Sequence, residues 1–294
     1  MLLFASLLVD GILAGAVYAL IALAFVVVYK ASRMINFALG EWVMFGSRLS
    51  AAGLYGAGLG PVGALVVAGA AMVAFALAFN RVVLRRLGGR PLIGVIMVTL
   101  GLGALMRGAA PLLFAGLPGA IPLPIPTEPL VVWELRIPVA RVVALAVAGV
   151  AIIGVGAFFR WSRTGLALRA LADDQEVALS VGIDVHRHLA IAWAMVGALA
   201  VVGGTLWTLV AGVGFGLVLL GLKVFPIVVI GGLDSLVGSI VGAVAIGVLE
   251  SLTAGYVDPV LGAGFSSVAP YVLLLGVLFV RPYGIFGRPD ARRV

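Results

Sequence analysis

Nine apolar runs, each close to the length of a bilayer crossing, follow one another along this chain, at residues 7–29, 34–55, 62–80, 91–113, 139–159, 189–211, 214–232, 236–256 and 266–281. About 20 consecutive apolar residues make a helix long enough to span the hydrocarbon core. Repeated at this density, such runs exclude a water-soluble fold. A soluble domain is about 25% charged, whereas this chain is 11% charged and 63% hydrophobic, with a mean hydropathy of +1.26. The expected architecture is an all-α polytopic membrane helix bundle of about eight to nine transmembrane segments, which uses nearly the whole length. Residues 1–294 then form one transmembrane domain, and no separate soluble domain fits.

The breaks between runs are short, except for a Pro-rich stretch at about 114–138 and a charged stretch at about 160–188. The net charge of +7 comes from basic residues that punctuate the runs rather than forming a stripe, which argues against nucleic-acid binding. They cluster at Lys30 and Arg33, at Arg81, Arg85, Arg86 and Arg90, at Arg160, Arg163 and Arg169, and at Arg281, Arg288, Arg292 and Arg293. Arg and Lys collect in cytoplasmic loops. Placing all four clusters there puts the N-terminus outside, the C-terminus inside and residues 114–138, with Glu128 and Glu134, outside. Asp10 inside the first run, with no basic flank before it, argues that this run is a retained helix rather than a cleaved signal. Cysteine is absent, which removes disulfides, thiolate metal sites and thiol catalysis.

Ionisable and amide side chains inside apolar runs are costly, so each is a functional candidate. They are Asn36, Glu41, Arg107, Lys223, Asp234 and Glu250. Arg107 and Asp234 read mainly as structural, the first snorkelling near a helix end and the second at an interface. Asn36 and Glu41 lie in INFALGEWVMFG, with Gly40 beside the carboxylate. Two readings stand: a locally opened helix presenting polar groups to a pore, or a turn at the start of the second helix with Glu41 paired to an Arg. Lys223, in GLKVFPIVVIGG, either pairs with Glu41 or another carboxylate, or marks an extracellular helix end. Its run, bracketed by glycines and holding Pro226, is the one most readily broken or re-entrant, a backbone irregularity tolerated only against protein or a water-filled cavity. Gly11 with Gly15 and Gly238 with Gly242 have the spacing of close helix packing.

Residues 164–185, TGLALRALADDQEVALSVGIDV, are too charged to span and too well punctuated for a linker. They predict two short helices. Asp173 and Glu176 have N-cap and N3 spacing and Gly182 fits a helix stop, which places the second helix at about 174–181. Such an element is either a docking surface for a partner or a solvated interfacial helix. No GxxxxGK[ST] phosphate loop is present. His186 and His188 have no companions for a metal site, and no Ser, His and Asp arrangement stands out. The chain is therefore not expected to be an enzyme or to hold a cofactor of its own.

Three long stretches together resemble the LivH-type permeases of branched-chain amino acid ABC importers. They are GAVYALIALAFVVVYKASRMINFALGEWVMFG, the 164–185 segment, and GLKVFPIVVIGGLDSLVGSIVGAVAIGVLE. The resemblance covers nearly the whole chain. It implies a permease in a prokaryotic cell (inner) membrane, working with a second homologous permease, two cytoplasmic ATPase subunits that hold ATP and Mg, and an extracytoplasmic solute-binding protein. In that setting Arg169, Ala170, Asp173, Glu176, Ala178, Gly182 and Ile183 match the motif that contacts an ATPase. Asn36, Gly40 and Glu41, and Lys223, Pro226, Gly231 and Gly232, become the stretches that line or gate the path. The implied solutes are branched-chain amino acids or a related amide, urea or aromatic carboxylate. The rival readings are an ion-coupled secondary transporter, with Glu41 and Glu250 as ion sites, and a passive channel.

The absence of native cysteine makes the orientation directly testable. Glu128→Cys should react with a membrane-impermeant maleimide added to whole cells, and Arg163→Cys only after the membrane is opened; the reverse pattern would invert the topology.

Overall fold

The computed structural model describes all residues except 88–91, 119–120, 122–124, 127, 133–134, 212–216, 263 and 288–294. Its helices, in chain order, are α1 (Leu2–Ser32), α2 (Leu39–Ala51), α3 (Pro61–Val82), α4 (Leu92–Leu113), α5 (Val139–Trp161), α6 (Arg163–Asp173), α7 (Gln175–Ser180), α8 (Val185–Ala211), α9 (Leu217–Gly231), α10 (Leu236–Tyr256), α11 (Asp258–Leu261) and α12 (Phe265–Val280). Each of the nine apolar runs overlaps one of these. Helices α1, α3, α4, α5, α8 and α10 are long and apolar enough to cross a bilayer, whereas α9 and α12 are apolar but shorter. With 15 residues, α9 reaches about 22 Å against a core of about 30 Å. Part of the seventh run, 214–216, lies outside the described residues.

The second run differs most from expectation. Rather than a helix from residue 34 to 55, the chain leaves α1 at Arg33, stays irregular until α2 begins, and ends in a π-helical turn, Ala52–Gly56. The irregular backbone survives because side-chain oxygens take its N–H groups. Met34 N–H donates to Ser32 Oγ (3.3 Å), Phe37 N–H to Thr99 Oγ1 (3.4 Å) and Ala38 N–H to Asn36 Oδ1 (3.0 Å). Without such partners a non-helical segment at membrane depth would strand its polar groups.

The Pro-rich stretch contains a feature that its composition did not announce. Strands β1 (Leu130–Val132) and β2 (Leu135–Ile137) pair antiparallel, with Leu130 opposite Ile137. The four-residue α11 was also not foreseen. There Asp258 accepts hydrogen bonds from the hydroxyl (2.8 Å) and backbone N–H (2.9 Å) of Ser266, which hold its carboxyl below the usual carboxylate range.

The chain forms two compact units. One comprises Met1–Val26, Pro124–Gly149 and Lys223–Val294, the other Val27–Leu123 and Val150–Leu222. In the first, the glycine spacing is used as packing chemistry requires. A Cβ at Gly11 would stand 2.6 Å from Val248 Cα, and one at Gly15 would stand 2.8 Å from Val244 Cα, so α1 and α10 meet backbone to backbone. Gly242 likewise faces the carbonyl of Ile227 on α9 at 2.7 Å from where its Cβ would lie. Beyond α12 the chain turns back onto the end of α9. Ile285 N–H donates to Ile230 O (2.8 Å) and Phe286 N–H to Gly231 O (3.2 Å), occupying carbonyls that a helix end otherwise leaves free. Gly232 makes the turn with φ +102°, a conformation open to glycine.

In the second unit α2 packs with α3 and α8 around Trp42, which is fully buried. Its ring lies 5.2 Å from Phe75, 6.0 Å from Phe79 and 5.5 Å from Trp193. Small residues again set the distance: Cβ atoms at Gly46 and Gly197 would lie 2.7 Å from Ala200 O and 2.6 Å from Met72 O. A buried Thr205 hydroxyl donates to Ser50 Oγ across α8 and α2 at 3.2 Å.

Gly15→Val should cost about 1–3 kcal/mol by overpacking and lower the midpoint of thermal aggregation in detergent. Gly149→Ala on α5, where a Cβ meets nothing within 4 Å, should leave that midpoint unchanged.

Candidate functional site

The break between α1 and α2 gathers the first set of candidates, all within the second unit. Asn36 is buried and, after its Oδ1 has taken the Ala38 N–H, its Nδ2 is left without a partner. Glu41 stands in the first turn of α2 with its side chain 4% exposed and meets Arg107 Nη2 at 2.5 Å. Gly103, one helical turn before Arg107 on α4, makes room for that carboxylate: a Cβ there would lie 3.2 Å from Glu41 Cδ. Glu41 is paired to an Arg, as one of the two sequence readings has it. Arg107 keeps its side chain 60% exposed while making this pair. It sits six residues before the end of α4. Gly40 is contacted from α9, where a Cβ on Gly221 would stand 2.7 Å from Gly40 N.

Lys223 belongs to the first unit, and its partner is Glu250 rather than Glu41. Its Nζ lies 3.0 Å from Glu250 Oε1, and the Tyr18 hydroxyl donates to Glu250 Oε2 at 2.6 Å. The three residues come from α9, α10 and α1, so one carboxylate ties three helices. Pro226 interrupts α9 one turn later, leaving the Leu222 carbonyl without its helical donor. Gly231 and Gly232 form the end of α9 that the 284–287 segment covers. Asp234 lies in the turn between α9 and α10.

The charged segment folds as two short helices, with one correction. The N-cap of α7 is Asp174, not Asp173. Asp174 is extended (φ −152°, ψ 113°) and its Oδ1 accepts from Glu176 N (2.9 Å) and Val177 N (3.2 Å), while Asp173 is the last residue of α6. The bend between the helices falls at Asp174, so its carboxylate, not its neighbour's, is aimed at the free N–H groups. Gly182 stops α7 as expected, with φ +86°. Ile183 N–H reaches Ala178 O (3.0 Å) and Gly182 N–H reaches Leu179 O (3.0 Å), which is the Schellman pattern. Ser162 caps α6 by accepting from Gly165 N at 2.8 Å. Asp173, Glu176 and Gly182 are exposed, Arg169, Ala170 and Ile183 are half-buried, and Ala178 is turned inward.

Two connections escaped sequence reasoning. Arg33, read there only as one of a basic pair, has φ +55° and donates from both Nε (3.3 Å) and Nη2 (2.8 Å) to the carbonyl of Ala172, near the end of α6. Its guanidinium also lies over the Tyr29 ring, 5.8 Å from the centroid. The charged helix is thereby fastened to the point where α1 gives way to the break. The other connection is the ion pair between Arg141 on α5 and Asp10 on α1.

A family model described as "Branched-chain amino acid transport system / permease component" matches residues 7–280. This chain belongs to that family. Among curated relatives, the high-affinity branched-chain amino acid transport system permease protein LivH of Salmonella typhimurium is 31% identical over 99% of this chain and 98% of its own length. LivH of Escherichia coli K12 is 30% identical over the same shares, and BraD of Pseudomonas aeruginosa is 32% identical over 98% and 97%. The branched-chain permease fold is thus a polytopic helical one, and the chain is a multi-pass membrane protein.

Breaking the buried pair from its exposed side is the sharper test. Arg107→Gln should destabilise more than Glu41→Gln, because it leaves a buried carboxylate uncompensated. The double variant should recover part of the loss, with a coupling of about 1–2 kcal/mol after allowing for the guanidinium's exposure, read from denaturation in detergent.

Proposed function

We propose that the chain is the transmembrane permease subunit of an ATP-driven importer, passing branched-chain amino acids or a related small solute delivered by a solute-binding protein. The relatives named above are permeases of branched-chain amino acid transport systems, and they align end to end with this chain. The observation that carries the reading is the capped α6 and α7 pair, tied by Arg33 to the α1 and α2 break. A short rigid element between spanning helices suits docking to an ATPase, with Arg169, Ala170, Asp173, Glu176, Gly182 and Ile183 at or near its accessible surface. Ala178, being buried, supports the element from within.

In this reading ATP is bound and hydrolysed by two separate cytoplasmic subunits, with Mg held there, and a second permease completes the path. Closure of the ATPases displaces residues 164–185. Arg33 carries that displacement to the irregular segment ahead of α2, where Asn36, Gly40 and Glu41 stand. Lys223, Pro226, Gly231 and Gly232 line or gate the path from α9. A ligand or nucleotide shifts such an equilibrium only through unequal affinity for its states, so the permease itself need not hold the solute tightly. An ion-coupled carrier would need an available intramembrane carboxylate. Both evident ones, Glu41 and Glu250, already face a cation.

Reconstitution with the companion permease, both ATPase subunits and the binding protein should give uptake of labelled leucine and valine that requires ATP. An amide and an aromatic acid tested alongside would define the solute class. Arg169→Glu, Glu176→Arg and Arg33→Gln should each lower uptake about tenfold, within the range of ordinary coupling energies. In Arg33→Gln the ATPases should remain bound and hydrolysing, since Arg33 transmits rather than docks. Uptake by this chain alone, indifferent to ATP and to these substitutions, would overturn the reading.

A further inference from the structure

An open groove of about 810 Å³ runs along the second unit between α3 and α8. Its walls are Leu77 of α3 and Ile191, Ala194, Met195 and Ala198 of α8, and at one end stand Arg85, Arg187 and Asp184. On α8 the groove residues recur every third or fourth position from Arg187 to Ala198, so they form one stripe on one face of the helix. At about 1.5 Å per residue that stripe is about 16 Å long, close to half of the hydrocarbon core of about 30 Å. The groove therefore has the length of one leaflet, with an apolar body and a charged end.

The charges at that end are not neutralised by one another. Among the described residues neither Arg85 nor Arg187 forms an ion pair. Asp184 is engaged locally: its Oδ1 accepts the backbone N–H of Arg187 at 3.1 Å and caps the start of α8. Arg85 comes from a separate element, the 3-10 turn Leu84–Leu87 that follows α3. Two exposed arginines from different elements thus line one apolar groove whose walls belong to helices long and apolar enough to cross a bilayer.

We propose that this groove binds one anionic phospholipid, with its phosphate between Arg85 and Arg187 and an acyl chain lying along the Ile191, Met195 and Ala198 stripe. Guanidinium presents several donors in a fork suited to phosphate oxygens, and basic pockets between spanning helices select anionic headgroups. A polypeptide partner would not require an apolar track one leaflet long that ends in unpaired cations, whereas a lipid has that polarity along its length. The site is separate from the α1 and α2 break and from the Lys223 cluster, and it does not depend on the solute carried.

The test uses the full chain in nanodiscs containing phosphatidylglycerol and phosphatidylcholine, released for native mass spectrometry. The wild type should retain one phosphatidylglycerol in preference to phosphatidylcholine by about tenfold. Each arginine is worth about fivefold at an anionic surface, with Asp184 offsetting part. The double substitution Arg85→Gln with Arg187→Gln should bring the ratio to about one without changing phosphatidylcholine retention. Equal retention of the two lipids by the wild type, or an unchanged ratio in the double variant, would overturn the proposal. A photo-crosslinking residue at Met195 in the assembled transporter supplies a second readout. Label on lipid supports the site, whereas label on another polypeptide makes the groove a subunit interface and rejects it.

Discussion

Inside a bilayer, apolar side chains gain nothing by leaving lipid for protein, so helices associate only where their surfaces fit closely or their polar groups meet. In this chain the fit is made by missing Cβ atoms. Gly11 and Gly15 bring α1 to the backbone of α10, Gly242 brings α10 to α9, and Gly46 and Gly197 bring α2 and α3 to α8. Between α1 and α10 the contacts recur at turn spacing along one helix face, so that pair is held at two levels. A substituent at any of them would separate backbones rather than merely displace a side chain.

Closely packed helices in turn create the setting in which charge can be kept at depth. The intramembrane carboxylates Glu41 and Glu250 each face a cation from a different helix, and Glu250 also receives the Tyr18 hydroxyl. Breaking a pair of this kind costs far more than its formation gains, because the abandoned group keeps its desolvation penalty. The pairs therefore act as register pins: sliding α4 against α2, or α9 against α10, by one turn would strand a charge. That restriction favours a small number of discrete helix arrangements over a continuum.

What could be read from the sequence follows from how local each signal is. The nine apolar runs needed only composition and length, and each one overlaps a helix. The stop of α7 at Gly182 was equally legible, since a left-handed residue after a short amphipathic run has few occupants other than glycine. The N-cap was misplaced by one residue because Asp173 and Asp174 are both competent caps. The choice between them depends on where the chain bends out of α6, which spacing does not encode. The helix break at 33–38 was visible only as an oddity around Asn36, since one of its N–H groups is satisfied by Thr99 from a distant helix. The partner of Lys223 was out of reach for the same reason. Once residues belong to different helices, complementary charge says that a pair can form but not which one does.

Arg33 illustrates the limit most clearly. By composition it is one more basic residue at the end of a spanning helix, fully accounted for by topology. In the fold it adopts a left-handed conformation that is uncommon for a residue with a side chain, and the guanidinium meets a carbonyl of α6 with two nitrogens. A residue in that conformation points its side chain where a continuous helix would not, and here that direction leads to the charged segment. The same position ends α1, begins the irregular stretch and grips α6. One side chain and a few residues of backbone therefore connect α6 to the start of α2.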